Sequence, residues 1–320
     1  MSIIFSISLN RRILQLTLAA ACWLGMSSST FAIESFITVD QQTGLILSSK
    51  NSNEKRQVAS LTKIATAVVA LDAAELKIIS MGELATVPAE ATTTGGANLA
   101  GLQEGDTLSI RDLLYCSLLA SDNIAATTIA HHIGRKLANP TRLDPTGNFV
   151  AHMNSLARNL KMKRTIFLNP SGIEDEKTTL PASTAADIAR LCRYALADSD
   201  FRFYVSQKTR QIEVHRNGAA MSITLKNTNR LLGEDGIDGV KTGTNTRAGF
   251  CLALSSWKTP EIVRHADGVV QTPRRIITVL LGADGDDSRF SEGLQLIRQG
   301  WGAYQQWANK GRPVTKKECL

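Results

Sequence analysis

Ala59-Ser60-Leu61-Thr62-Lys63 opens an apolar run (Ile64, Ala65, Ala67, Val68, Val69, Ala70, Leu71), and the reading of this stretch decides the rest. A hydroxyl and an amine three residues apart lie one above the other on a helix face, so a nucleophile and a base come within reach. The serine falls at the helix N-terminus, where unpaired N–H groups and the positive end of the macrodipole favour negative charge developing beside it. The same residues also read as an N-cap serine followed by an exposed lysine, and four positions alone do not separate the two readings.

Working outward, the first 32 residues differ from the rest. Arg11 and Arg12 precede an apolar stretch from Ile13 to Leu24, and a small polar segment ends at Thr30-Phe31-Ala32. This is the pattern of a secretory signal peptide cleaved after Ala32, and it is short for a membrane span. Leu18-Ala19-Ala20-Ala21-Cys22 leaves a lipoprotein anchor through Cys22 as the lesser alternative. The expected location is therefore the periplasm or cell-wall space. The 320 residues carry a formal net charge of +7, and losing Arg11 and Arg12 with the leader would leave +5. An exported protein with that balance is drawn to anionic wall polymers or lipid headgroups, although simple solubility accounts for the charge equally well.

Five cysteines (22, 116, 192, 251 and 319) and five histidines show no metal-ligand spacing, so neither metal nor cofactor is expected. Cys116, Cys192 and Cys251 sit in apolar segments and read as buried thiols.

Downstream of the leader, Phe36–Val39 and Leu45–Leu47 flank a turn-rich Asp40–Gly44 and predict a hairpin. The Ser60 helix should run to about Leu76. Thr92–Gly105 reads as a surface loop on the rim of a site, and helices are expected over about 109–119, 124–133, 148–160 and 183–196. Beyond residue 205 short strands alternate with turns. A final helix carries Leu294, Ile297, Trp301 and Tyr304, a stripe suited to packing on a sheet, and Lys310–Leu320 reads as a loose basic tail. The order implies an α/β (α+β) architecture. Strands from both ends form one antiparallel sheet flanked by helices, with a mostly helical subdomain inserted over about 84–200, inside a unit of 33–305 followed by a tail of 306–320. A cleft between sheet and insert is where a site is expected.

Three motifs then fall in order: Ser60-Leu61-Thr62-Lys63, Ser121-Asp122-Asn123, and Lys241-Thr242-Gly243 before the strand Gly249–Leu254. With Asn169-Pro170-Ser171-Gly172-Ile173, Asn227–Leu232 and Asp238–Gly243, they make nearly the whole mature chain resemble the penicillin-recognising serine DD-peptidases. The likeness is greatest to the low-molecular-mass D-alanyl-D-alanine carboxypeptidases and related endopeptidases, whose β-lactamase/DD-peptidase fold is thereby implied. The resemblance assigns Ser60 as nucleophile, Lys63 as base and Ser121 as proton relay. It assigns Asn123, Lys241, Thr242 and Gly243 to the substrate, the N–H groups of Ser60 and Thr244 to the oxyanion, and Arg289, seven residues past Gly282, to the terminal carboxylate. The implied partners are peptidoglycan stem peptides ending in D-Ala-D-Ala, with β-lactams as covalent inhibitors. Nucleic acid is not expected, and peripheral contact with wall or membrane is left open. Three other readings share the chemistry: a DD-endopeptidase cleaving D-alanyl cross-links, a β-lactamase, and a penicillin-binding sensor without turnover. Asp122 is what class A β-lactamases carry, but residues 165–181 offer Glu174, Asp175 and Glu176 without that class's Glu-x-x-Leu-Asn pattern. Two stretches, about 135–147 and 258–274, read as insertions at the rim.

Overall fold

The computed structural model describes residues 33–137, 144–174, 182–265 and 268–320, with no side chains over 263–270. The leader reading, Cys22, Asp175, Glu176 and the middle of the 135–147 insertion fall outside the described residues.

The expected hairpin forms as β1 (Ser35–Asp40) and β2 (Ile46–Lys50). β1 then pairs with β9 (Gly268–Ala283), β9 with β8 (Gly249–His265), and β8 with β7 (Ile237–Asn245), all antiparallel, giving the sheet order β2-β1-β9-β8-β7. Every residue of β1 is buried because helices cover both faces of this sheet. Its polar members need partners inside, and Thr38 and Thr278, opposite each other in register, share a hydroxyl hydrogen bond of 2.9 Å.

In chain order the helices are α1 (Lys63–Glu75), α2 (Ala89–Thr93), α3 (Ile110–Leu118), α4 (Asn123–Gly134), α5 (Pro145–Asn159), α6 (Ala185–Ala195), α7 (Ser199–Ser206) and α8 (Asp286–Asn309). Ser109, Asp122, Asp144 and Thr184 cap α3 to α6 by accepting a backbone N–H of the first turn, as these residue types do. α1 is apolar on all sides because it is the central helix, packed by α3, α4, α5 and α6. α8 covers the other face of the sheet. Gly293 and Gly300 let it sit close, since a Cβ on Gly300 would stand 2.7 Å from Thr38 Cγ2. Leu296 and Ile297 are fully buried beneath it, each stabilising by about 1.5–3 kcal/mol. Leu294, expected in the stripe, is only half-buried.

The structure differs from expectation in four places. The strands after residue 205, β5 (Thr209–Arg216) and β6 (Ala219–Lys226), do not join the main sheet. They pair with β3 (Leu84–Thr86) and β4 (Thr107–Ser109) in a second sheet, which carries the inserted, mostly helical part past residue 200 to Lys226. Two short strands, β3 and β4, hold too few residues to show an alternation in sequence. α7 was not anticipated. The tail is not loose: the N–H of Ile46 donates to Glu318 O (2.8 Å) and that of Leu320 to Gly44 O (3.0 Å), which covers the outer edge of β2. Finally, residues 257–275 extend β8 and β9. Trp257 lies six residues beyond Cys251, the partner of Gly243, or about 20 Å along the strand, so this stretch is not on the rim of the Gly243 cleft.

Candidate active site

Ser60 lies in a 3₁₀ turn, Ala59–Thr62, that runs into α1 at Lys63. Side chains three apart eclipse in 3₁₀ geometry, which brings the pair closer than an α-helix would. Lys63 Nζ is 2.8 Å from Ser60 Oγ. The Lys63 side chain is fully buried, and a buried amine needs acceptors. It has two more, Asn123 Oδ1 at 2.6 Å and the carbonyl of Ser171 at 2.8 Å. Burial lowers the Lys63 pKa to about 7, with the nearby Asp122 carboxylate opposing part of that fall.

Asn123 is held by its position as the first residue of α4. Its N–H donates to Ala97 O (2.8 Å) and its Nδ2 to Gly95 O (3.1 Å), so the loop after α2 closes over the asparagine. Gly96 must be glycine here: its φ is +78°, and a Cβ would fall 2.2 Å from Asn123 Nδ2. Asp122 is structural. It caps α4 through Ala125 N (2.9 Å) and ties down the loop through Ala100 N (3.1 Å). Ser121 enters the helix at φ +60°, half-buried, and its hydroxyl makes no hydrogen bond among the described residues.

The Ser171 carbonyl comes from a turn that the sequence reading quoted without giving it a role. Asn169 Oδ1 accepts from Ser171 N (3.2 Å) and Gly172 N (2.7 Å), while Thr66 Oγ1 of α1 donates to Pro170 O (2.6 Å). Gly172, at φ +79°, lies so close to the Ser60 turn that a Cβ would meet Ala59 O at 2.0 Å. The Asn-Pro-Ser-Gly composition signals a turn, but nothing local says which carbonyl the turn presents. Just beyond it Glu174 accepts the N–H of Arg247 (3.3 Å), so its carboxylate is engaged at the β7–β8 turn.

The third wall is β7. Gly243 lies against the 3₁₀ turn, its missing Cβ 2.9 Å from Val58 O and 3.1 Å from Ser60 N. Lys241 is buried and donates to Thr242 O (3.0 Å). Burial pushes its pKa well below the usual range, and repulsion from Lys63 and Arg289 adds to the fall. Thr242 and Thr228 share a hydroxyl hydrogen bond (2.7 Å). Arg289, from the first turn of α8, donates through Nη1 to Thr244 Oγ1 (2.7 Å) and Gly243 O (3.1 Å), and Nη2 pairs with Asp286.

The fold thus bonds Ser60, Lys63 and Asn123 directly, lays Gly243 on the Ser60 turn, and joins Arg289 to Thr244. Ser121 and Lys241 make no hydrogen bond to the Ser60–Lys63 pair. A neutral Lys63 amine would spend its two hydrogens on Asn123 Oδ1 and Ser171 O, leaving its lone pair toward Ser60 Oγ.

The chain is similar to known proteins. The Streptomyces K15 DD-transpeptidase structure superposes with a TM-score of 0.74 at 26% identity, over 87% of this chain and all of that one. The D-alanyl-D-alanine carboxypeptidase DacD of Escherichia coli is 31% identical over 90% of this chain and 71% of its own length. DacF of Bacillus subtilis is 30% identical over 73% of this chain, which spans 57% of that relative. A D-alanyl-D-alanine endopeptidase of Pseudomonas aeruginosa is 30% identical over 69% of this chain and 66% of its own length. The family profile described as D-alanyl-D-alanine carboxypeptidase, peptidase S11, matches residues 24–266, and the chain belongs to that family.

Proposed function

We propose that this chain is a serine-type D-alanyl-D-alanine carboxypeptidase acting on peptidoglycan stem peptides. The observation that carries the reading is the Lys63 amine, buried, lowered to a pKa of about 7 and fixed between Ser60 Oγ, Asn123 Oδ1 and Ser171 O. In the neutral form it takes the Ser60 proton as Oγ attacks the carbonyl between the two D-alanines. The Ser60 ester bond forms as the C–N bond breaks, and the proton passes by way of Ser121 to the departing D-alanine amine. Water then hydrolyses the ester. The N–H groups of Ser60 and Thr244 stabilise the oxyanion. Asn123 holds the substrate amide, while Lys241, Thr242, Gly243 and Arg289 receive the terminal carboxylate, to which β-lactams offer a counterpart. With residues 1–32 as a leader, the work is done outside the cytoplasm.

The test is Ser60→Ala. The parent should label covalently with fluorescent penicillin and release D-alanine from a pentapeptide, and the variant should do neither. A variant that still labels would overturn the nucleophile, and a labelled parent that releases no D-alanine would overturn the carboxypeptidase reading. The likeness to a protein named as an endopeptidase keeps cross-link cleavage as the second reading, which loss of cross-linked muropeptide dimers without free D-alanine would favour.

A further inference from the structure

Among the described residues, nine cationic residues border a groove of about 1050 Å³ that touches none of the residues assigned to catalysis, and two of them, Lys258 and Arg274, carry their charge over the Trp301 ring of α8 (4.6 and 5.9 Å) on the other face of the sheet. Its walls are the turn after α5 (Leu160–Arg164), the exposed side of α6, and the far end of the β8–β9 hairpin. Among the described residues only one acidic side chain, Asp187, lines it. Two of the remaining seven have carboxylate partners: Arg190 with Asp187 (2.8 Å) and Arg275 with Asp238 (2.6 Å). The other five have none within 4.0 Å among the described residues. Arg193 illustrates the imbalance. It is half-buried, which lowers its pKa although the Asp40 carboxylate opposes part of the fall, and it donates to the carbonyls of Gln41 (2.8 Å) and Gln42 (2.9 Å), which neutralise no charge. Arg202 does the same with Leu196 O (2.6 Å).

A basic face open to bulk water needs no ligand, because solvent screens it. This one is concave, and like charges in a recess reinforce one another and attract counter-charge. A planar bilayer cannot reach the arginines in the recess, whereas an extended chain can lie along it. The occupant that fits is a linear polymer with a permanent charge at each repeat. Phosphodiesters stay anionic throughout the pH range of the enzyme, and their paired oxygens match the guanidinium fork. We propose that this groove binds a linear phosphodiester polymer and thereby holds the enzyme against an anionic matrix, independently of catalysis.

The experiment measures binding of the full chain to a fluorescent synthetic poly(glycerol phosphate) oligomer, with vesicles containing 30% phosphatidylglycerol as a separate arm. Reversing the exposed groove cations (Lys161→Glu, Lys163→Glu, Arg164→Glu) should weaken oligomer binding at least about tenfold, with a smaller dependence on salt and an unchanged rate of penicillin acylation. Reversing Lys208, Lys226 and Lys310, which do not line the groove, should have a much smaller effect. Absence of binding, equal losses in the two triple variants, or binding to vesicles but not to the soluble oligomer would each overturn the proposal.

Discussion

Lys63 Nζ stands 2.8 Å from Ser60 Oγ, while its other two contacts, at 2.6 Å to Asn123 Oδ1 and 2.8 Å to Ser171 O, are to oxygens that only accept. The amine can serve as a base only when it has lost a proton, so acylation should follow its titration. The lowered pKa of about 7 puts the rise below neutrality: the second-order rate of penicillin acylation should climb about tenfold per pH unit up to about pH 7 and level off above it. Stopped-flow acylation from pH 5 to 9 checks this. A profile still climbing at pH 9 would mean that Lys63 is an ordinary lysine, and a flat one that it is not the base.

The same shift has a consequence for stability, with its own sign. In the unfolded chain Lys63 holds its proton up to its usual value of 10.5, but in the fold only up to about 7. Between these values the unfolded state binds the extra proton, so stability rises with pH across that window. The cost of burying the ammonium is fully present below pH 7, on the order of 5 kcal/mol from the size of the shift. Lys63→Met removes this cost along with the hydrogen bonds. The variant's melting temperature should therefore gain on the parent's as pH falls from 10 to 7, and an offset independent of pH would contradict the assignment.

Gly172 offers a test of the turn rather than of the amine. Alanine at φ +79° with its Cβ 2.0 Å from Ala59 O cannot be accommodated without moving the turn away from Ser60. Gly172→Ala should cost about 2–4 kcal/mol, a fall of several degrees in Tm. As Ser171 O withdraws from Lys63, acylation should drop more than about tenfold. Calorimetry and acylation measured on one preparation decide it, and a variant that is destabilised but acylates normally would leave the Ser171 carbonyl without a role.

Much of this site was legible because its chemistry sits at fixed spacings. Ser60 and Lys63 are three apart on one turn, and the caps at Ser109, Asp122 and Thr184 announce their helices locally. What could not be read depends on pairing over long separations. The Ser171 carbonyl meets Lys63 across 108 positions, and a main-chain oxygen leaves no trace in residue identity. The membership of β5 and β6 in a second sheet hinges on β3 and β4, each only three residues long. The docked tail looked loose because its bonds are main-chain bonds to the edge of β2, which polar side chains neither favour nor forbid.

Arg289 carries the last prediction. It reaches Thr244 Oγ1 and Gly243 O through Nη1, and Asp286 through Nη2, so α8 delivers a partly buried guanidinium to the open side of β7. Burial lowers its pKa, and the Asp286 carboxylate offsets part of that effect, so the cation persists at neutral pH. A carboxylate at the peptide terminus would gain a charge-assisted hydrogen bond that a terminal amide would not, worth about 1.5–3 kcal/mol, or roughly 10- to 150-fold. The parent should prefer an acyl-D-Ala-D-Ala acid over its amide by that margin, and Arg289→Leu should lose most of the preference by slowing the acid alone. Arg289→Lys should recover part of it, since the charge returns without the planar fork. Because Arg289 also contacts the rings of Phe250 and Phe290, the Tm of each variant must be followed alongside. A uniform loss on acid and amide would assign Arg289 to the scaffold of α8 and β7 instead of to the substrate.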